Sequence, residues 1–434
     1  MKHITKIHFI GIGGIGMSGL ARLFKHEGKE VSGSDTTETE NTKKLITEGI
    51  PVTYEQTAQN ITNQQESSDV PCIDLVVYTE AMASDHPELV AAREAGIRTT
   101  SYFEALGEIA NEYYLIAVAG THGKTTTTAM LIDILEEASF DPTAIVGSLR
   151  TKTGSNYRAG KSKYFIVEAC EYKRDFLTLE PDVLVITNLE HEHVDYYKDL
   201  EDVQDAFHEL ALKVPEDGAV IAIKSDPKVA PVLRQLKARV YDYKIEVFRD
   251  IALKQPGLYN RMNAGAARAT ALVLGADKGI IAEALENFAG TQRRFEYKGE
   301  VNGAKVYDDY AHHPTEITAT ISGVRELYPD RKLTIVFQGH TYSRTHELFD
   351  DFALSLAKAD RVLILPIYAA REENKSGVSA EKLSESIVEQ GTQSEFFHTF
   401  DGAVVTVKES VGLDDVVVVM GAGDVTKVAA LLVS

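Results

Sequence analysis

Ten consecutive residues, Ala117-Val118-Ala119-Gly120-Thr121-His122-Gly123-Lys124-Thr125-Thr126, carry the densest chemistry in the sequence. They follow an apolar stretch and open a helix-periodic one. A phosphate chain needs backbone N–H groups, the positive end of a helix and a mobile cation, and this segment supplies all three. Gly120, Thr121, His122, Gly123 and Thr126 then line the phosphates, Lys124 reaches the β and γ groups, and the Thr125 hydroxyl binds Mg²⁺. The usual loop has glycine six residues before the lysine, where this chain has Val118, so the loop is a shortened variant. The plainer reading, a glycine turn with an exposed lysine, fits the strand-loop-helix context poorly.

Carboxylates and imidazoles follow at the ends of the next apolar runs. Glu168 closes Tyr-Phe-Ile-Val-Glu with Glu171 nearby, and Val183 to His193 reads Val-Leu-Val-Ile-Thr-Asn-Leu-Glu-His-Glu-His. In a parallel sheet the carboxyl ends of neighbouring strands share one edge with the phosphate loop, so Glu168 and His193 are expected to converge with Thr125 on its metal. Mg²⁺ prefers oxygen donors, and two ions account for a carboxylate and an imidazole placed apart. Standing alone, such a cluster would be an ordinary solvated loop.

A second glycine turn, Gly11-Ile12-Gly13-Gly14-Ile15-Gly16, lies near the N-terminus, with Asp35 ending the next short strand. Gly11, Gly13 and Gly16 would admit a pyrophosphate, and the Asp35 carboxylate would accept from a ribose hydroxyl. A nicotinamide dinucleotide or a UDP-sugar satisfies this physics equally, and a tight strand-helix turn without ligand has the same pattern. The last third carries Arg293-Arg294, Asp308-Asp309-Tyr310-Ala311-His312-His313-Pro314, and Phe337-Gln338-Gly339-His340-Thr341-Tyr342-Ser343-Arg344. Arg344 can hold a carboxylate bidentately, and His340 or His312 can orient an amine or phosphate. Helix caps and surface histidines are the alternative.

These groups must be positioned by repeated βα units. Strands are expected at Lys6–Ile10, Asp74–Tyr78, Leu115–Ala119, Tyr164–Val167, Val183–Thr187, Ala219–Ile223, Leu333–Phe337, Arg361–Leu365 and Asp415–Met420. Most are Val/Ile-rich without two-residue alternation, the mark of strands covered on both faces. Helical periodicity intervenes at Gly16–Lys25, Lys124–Glu137, Asp199–Lys213, Asn263–Leu274, Thr315–Leu327 and Leu348–Ala357. The fold class is therefore α/β with parallel sheets. The alternation restarts at the Gly120 turn and again at a hairpin, Phe295 to Tyr310, giving domains at 1–110, 111–293 and 294–434. Residues 228–258 are poorly patterned.

A chain of 434 residues, 44% apolar and 25% charged, is ordinary globular protein of roughly three domains. Its formal charge of −20 disfavours nucleic acid and anionic membranes as partners, and no apolar stretch has the length of a membrane span. The apolar start around Ile7 to Ile15 is broken by glycines and lacks a cleavage site, so it is no signal peptide. Cys72 and Cys170, the only cysteines, cannot build a disulfide framework and read as buried thiols of a cytoplasmic protein.

In this order the motifs resemble the Mur ligase family. The resemblance is carried by Gly11 to Gly19, Ser-Gly-Ser-Asp ending at Asp35, Ala-Gly-Thr-His-Gly-Lys-Thr-Thr-Thr-Thr ending at Thr128, Thr-Asn-Leu-Glu-His-Glu-His-Val-Asp ending at Asp195, Arg-Arg-Phe at Phe295, and Asp-Asp-Tyr-Ala-His-His-Pro-Thr-Glu ending at Glu316. It implies a Rossmann-like N-terminal domain for a UDP-sugar, a P-loop central domain for ATP and Mg²⁺, and a Rossmann-like C-terminal domain for an amino acid. By the same resemblance Lys124 is the phosphate lysine, and Thr125, Glu168 and His193 are the Mg²⁺ ligands. Asn260, Asn263 and Arg294 match positions around ATP, Asp309 a catalytic-site aspartate, and His340 and Arg344 amino-acid-binding positions. The implied substrates are UDP-N-acetylmuramate and L-alanine, handled by a monomer or weak homodimer.

Several positions depart from the family pattern. Gly257-Leu258-Tyr259-Asn260 has tyrosine in place of histidine, and Glu168-Ala169-Cys170-Glu171 has cysteine in place of aspartate. Gly339 replaces the proline before His340, and Glu80 stands where a small hydroxyl residue is usual. The stretch Pro227 to Gly257 is short, so a small peripheral sheet is expected to be missing. Three rival readings remain at this level: a ligase that reattaches a recycled tripeptide to the same UDP-sugar, a nicotinamide oxidoreductase, and a non-catalytic nucleotide-binding paralogue.

Overall fold

Valine- and isoleucine-rich runs form the central strands of three sheets, each flanked by helices. The computed structural model describes all residues except 2, 63–72, 81, 195, 248–250 and 371, so Cys72 and Asp195 lie outside the described residues. The first sheet is wholly parallel, in the order Val52–Thr53, Glu30–Ser34, Lys6–Ile10, Leu75–Tyr78, Arg98–Ser101. That order reverses direction at Lys6–Ile10, where the Gly11 turn begins, which is the switch point at which doubly wound sheets bind ligands.

The second sheet runs Arg239–Asp242, Ala219–Ala222, Val183–Ile186, Tyr114–Ala119, Tyr164–Glu168, Thr143–Arg150, Ser155–Arg158. Only its last pair is antiparallel. Tyr114–Ala119 lies between Val183–Ile186 and Tyr164–Glu168, so the loops leaving all three strands emerge side by side. The third sheet, Glu296–Val301, Ala304–Asp309, Asp415–Met420, Lys332–His340, Arg361–Tyr368, Gln393–Phe396, is parallel apart from the opening hairpin. Leu333, Ile335 and Phe337 pack into one apolar layer and Val336 into the layer on the opposite face, so this strand is buried on both sides.

The chain forms two compact units. One comprises Met1–Arg249 and Asn263–Leu285 and holds the first two sheets; the other comprises Asp250–Met262 and Glu286–Ser434 and holds the third. Helix Leu258–Val273, expected from Asn263, starts earlier and carries the chain from the second unit into the first. Within the first unit, helix Ile15–His26 packs on the hairpin Thr143–Arg150/Ser155–Arg158. Gly19 permits the approach, since a Cβ there would lie 2.9 Å from Ile145. Arg22, almost fully buried, donates to Asn156 Oδ1 at 2.7 Å and Glu48 Oε2 at 2.6 Å, and Asn156 Nδ2 donates to Ile15 O and to Ser18 Oγ.

The poorly patterned stretch adds one edge strand, Arg239–Asp242, and a short helix, Lys244–Val247. Among the described residues of 227–257 no further strand occurs. No helix of the described residues is long and apolar enough to cross a membrane.

Candidate active site

The phosphate loop joins strand Tyr114–Ala119 to helix Lys124–Glu137. Two glycines make the turn: Gly120 has φ +131° and Gly123 φ +83°, left-handed conformations that a side chain would strain. Gly123 is also crowded, because a Cβ there would sit 2.2 Å from Asn263 Oδ1. Asn263 thus packs against the loop. Thr121 and His122 are tied to the neighbouring strand's exit: Thr121 N–H donates to Asn188 O at 3.0 Å, His122 N–H to Asn188 Oδ1 at 2.9 Å, and Thr187 Oγ1 to His122 O at 2.7 Å. Thr126 is buried on the helix behind the loop.

Lys124 Nζ lies 2.9 Å from Glu171 and donates to Gly120 O at 2.6 Å and Thr121 O at 3.0 Å. Burial works against its charge, but Glu171, Cys170, Glu192 and Glu168 outweigh it and hold the ammonium above its usual pKa. For Glu171, burial raises the pKa, yet Lys124 and His193 bring it down to about 2. The half-buried Cys170 thiol is pushed up to about 12 by desolvation and by Glu171, which makes it unreactive.

Glu168 and His193 have different partners, in line with the placement of a carboxylate and an imidazole apart. Glu168 accepts from Thr125 Oγ1 at 2.9 Å and from Gly147 N–H at 2.7 Å on the adjacent strand. His193 Nε2 instead stands 3.6 Å from Glu171, and Glu171, Glu192 and His193 bring donor atoms within 4.8 Å of one another. The reason is chain geometry: Glu168 ends its strand beside the helix start, while Glu171 sits one turn further, facing Lys124 and His193. The loop therefore offers two sets of donors, Thr125 with Glu168 and Glu171 with Glu192 and His193. Carboxylate and hydroxyl oxygens suit a hard divalent cation, so the residues present fit Mg²⁺. Glu192 was hidden within the Glu-His-Glu-His run, whose spacing alone does not separate its members.

At the N-terminal turn Gly11 has φ +81°, and Gly16 lies flush against Tyr102, where a Cβ would meet the ring at 2.7 Å. Asp35 accepts from Gly13 N–H at 2.7 Å through Oδ2 and from Thr36 N–H at 2.7 Å through Oδ1. The carboxylate expected to meet a ribose hydroxyl is thus also the brace of the glycine loop.

In the second unit, strand Ala304–Asp309 delivers Asp309, whose oxygens accept from Ala311 N–H at 2.9 Å and Thr320 Oγ1 at 2.8 Å. Burial raises its pKa to about 6 against the pull of these donors and of Arg294. Arg293 and Arg294 both lie over the Tyr310 ring at 5.0 Å. His340, at the end of strand Lys332–His340, stacks on Tyr368 at 5.6 Å, faces the edge of His312 at 6.0 Å, and has Arg344 Nη1 3.4 Å from its Nδ1. Burial, His312 and Arg344 depress its pKa to about 4, so the ring is neutral near pH 7. Arg344 belongs to the short helix Tyr342–Glu347. Asn260, which also belongs to this unit, donates to Pro256 O at 2.8 Å.

Comparison with known proteins agrees with this arrangement. Residues 6–114 match the model "Mur ligase family, catalytic domain", 118–261 the "Mur ligase middle domain" and 293–423 the "Mur ligase, glutamate ligase domain". The chain is 41% identical to a UDP-N-acetylmuramate–L-alanine ligase of Agathobacter rectalis, with 97% of this chain and 96% of the relative covered. It is 40% identical to the enzyme of the same name from Clostridium novyi, covering 98% and 96%. Among solved structures, the UDP-N-acetylmuramate–alanine ligase of Thermotoga maritima superposes with a TM-score of 0.80 at 28% identity, covering 99% and 98%. A murein peptide ligase of Psychrobacter arcticus superposes with a TM-score of 0.71 at 25% identity, covering 99% and 98%. Three family models in succession along the chain, with relatives of 40–41% identity covered over nearly their full length, show that the chain belongs to the Mur ligase family.

Proposed function

We propose that the protein is an ATP-dependent ligase that joins L-alanine to the carboxylate of UDP-N-acetylmuramate through an acyl phosphate, a step of peptidoglycan precursor synthesis in the cytoplasm. The observation that carries this reading is the Lys124 site: a largely buried ammonium at a helix start, held by loop carbonyls and Glu171, with hard oxygen donors beside it. Full-length relatives bearing that ligase name support the choice of substrates.

A carboxylate resists amine attack because its leaving group would be oxide. In the proposed reaction a carboxylate oxygen attacks the γ-phosphorus of ATP, ADP leaves, and an acyl phosphate forms. The amine of L-alanine then attacks the carbonyl carbon and phosphate departs with the former carboxylate oxygen. The Lys124 ammonium moves from Glu171 and the loop carbonyls to the phosphate oxygens and follows their charge as it develops, the dominant contribution in phosphoryl transfer. Mg²⁺, held at Thr125 with Glu168 or at Glu171 with Glu192 and His193, would neutralise phosphate charge when bound. In the second unit Arg344 pairs with the amino acid's carboxylate and Asp309 receives a proton as the amine is acylated. Its raised pKa suits that task. Gly11, Gly13 and Gly16 bring backbone N–H groups to the UDP pyrophosphate. The reading requires both compact units to serve one reaction, with water excluded while the acyl phosphate exists.

The test is phosphate release with ATP, Mg²⁺ and UDP-N-acetylmuramate across amino acids and peptides. Release that needs L-alanine and yields the alanyl amide upholds the reading. Preference for a tripeptide would move the chain to the murein peptide ligases, and no release with any amine would make it a nucleotide-binding paralogue.

A further inference from the structure

The turn that carries Arg344 is not self-supporting. Thr341 has φ +64° and ψ 148°, a conformation that a β-branched residue disfavours and that persists only when neighbours impose it. Its N–H donates to Tyr368 O at 2.9 Å, its carbonyl accepts from Thr345 Oγ1 at 2.7 Å, and its hydroxyl accepts from Arg344 N–H at 3.4 Å. The helix that follows, Tyr342–Glu347, has six residues, too few to hold itself. A further restraint comes from the loop after strand Arg361–Tyr368. There Glu372 accepts from Ser343 N–H through Oε2 at 2.9 Å and from Ser343 Oγ through Oε1 at 2.6 Å. Glu372 is itself anchored, its N–H donating to Ala369 O at 2.8 Å.

Both oxygens of Glu372 are thus committed to the residue preceding Arg344. Although burial opposes it, the Ser343 hydroxyl and backbone N–H bring the Glu372 pKa below its usual value, keeping it an acceptor across the neutral range. The clamp joins two strand exits: His340 and Arg344 leave one strand, Tyr368 and Glu372 the next, and the His340–Tyr368 stack spans the same gap.

We propose that Glu372 is a positioning residue of the amino-acid site, fixing the Thr341–Arg344 turn so that the Arg344 guanidinium meets the substrate carboxylate in a two-point geometry. The proposal rests on the reading of Arg344 given above. A bidentate pair tolerates little angular error, so releasing the turn weakens amino-acid binding without touching the phosphate site.

The test is steady-state kinetics of the full chain with each substrate varied in turn, for Glu372→Gln, Arg344→Lys and the double variant, beside melting curves. Glu372→Gln keeps size and replaces one acceptor oxygen by an amide nitrogen that cannot accept from Ser343. The expected result is a KM for L-alanine raised about tenfold, the scale of one hydrogen bond to a charged group. The KM values for ATP and UDP-N-acetylmuramate stay unchanged, and little further effect is seen in the Arg344→Lys background, because Glu372 acts through Arg344. Glu372→Asp, which keeps the charge but cannot span both Ser343 donors, should fall between the two. If Arg344→Lys raises the alanine KM and Glu372→Gln does not, the positioning role is wrong while the reading of Arg344 stands. If Glu372→Gln raises all three KM values together or acts additively with Arg344→Lys, Glu372 is a general structural residue and the proposal fails. If Arg344→Lys leaves the alanine KM unchanged, the reading of Arg344 fails and the proposal with it.

Discussion

The proposed phosphate site and the proposed amino-acid site are built by different means. At the phosphate site seven consecutive residues, Gly120 to Thr126, supply the turn, the cation and the proposed metal-side hydroxyl, and the exit of the adjacent strand Tyr164–Glu168 adds Glu168 and Glu171. The unusual backbone of the loop itself sits on glycine, at Gly120 and Gly123, although His193 opposite it also has a positive φ, +55°. At the proposed amino-acid site the contributing residues come from separate segments, and the unusual backbone sits on side-chain-bearing residues, Thr341 at φ +64° and Ala370 at +51°. The first site is built around a contiguous motif between one strand and one helix, braced by Asn188 and Glu171 from farther along the chain; the second has no contiguous motif and depends wholly on contacts between separate segments. Substitutions at the first should therefore act on chemistry, and those at the second on binding and on conformation.

The largest effect expected is at Lys124. Lys124→Ala should lower kcat by about 100- to 1,000-fold while UDP-N-acetylmuramate binding, measured by calorimetry, is retained, because the lysine's charge matters most as the phosphoryl group moves. Retention of a tenth of the wild-type kcat at saturating ATP would remove Lys124 from that role and erase the contrast between the sites.

Next in size is Arg344→Lys. The charge stays but the planar fork is lost, so kcat/KM for L-alanine should fall by about 1–3 kcal/mol, chiefly through KM. An unaltered alanine KM with a lowered melting temperature would assign Arg344 to the fold.

Asn156→Ala probes whether the first two sheets depend on their shared polar contact. It removes a fully buried amide that bridges Arg22, Ile15 and Ser18, and should cost about 1–3 kcal/mol in denaturant unfolding with KM for L-alanine unmoved. A loss within a few tenths of a kcal/mol would show the contact to be dispensable.

The smallest effect is a pH dependence. His340 has a folded-state pKa of about 4, below its unfolded value, so its contribution to stability is complete above the unfolded pKa and is lost as pH falls toward 4. Between about pH 6.5 and 4 the wild type should therefore lose stability that His340→Gln does not lose, read as converging melting temperatures on acidification. Parallel curves would show that His340 titrates as an exposed histidine.

The same contrast decides what could be read from the amino acids alone. Strands Lys6–Ile10 and Asp415–Met420 and helix Lys124–Glu137 occur where the apolar runs and periodicity put them, because buried parallel strands are continuous in Val and Ile. Arg98–Ser101 and Ser155–Arg158 escaped notice: Arg-Thr-Thr-Ser and Ser-Asn-Tyr-Arg lie at sheet edges, where one side is solvated and no apolar run is needed. Lys124, Thr125 and Glu168 were legible from a contiguous motif and a strand end. The pairing of Glu171 with Lys124 and His193 was not, since it depends on a turn following Glu168 in which Lys173 and Arg174 take φ of +53° and +61°. Glu372 was invisible because its partner is Ser343, on a different strand exit, and no local pattern links the two.

The central claim is that phosphoryl transfer at the Lys124 site makes an acyl phosphate which the amine then opens. UDP-N-acetylmuramate labelled with ¹⁸O in its carboxylate tests this directly when incubated with ATP, Mg²⁺ and L-alanine and the released phosphate is analysed by mass spectrometry. One labelled oxygen in each phosphate, alongside a stoichiometric alanyl amide, is the result the account predicts. Amide formation with phosphate free of label would mean that the carboxylate oxygen never reached the γ-phosphorus, and would contradict it.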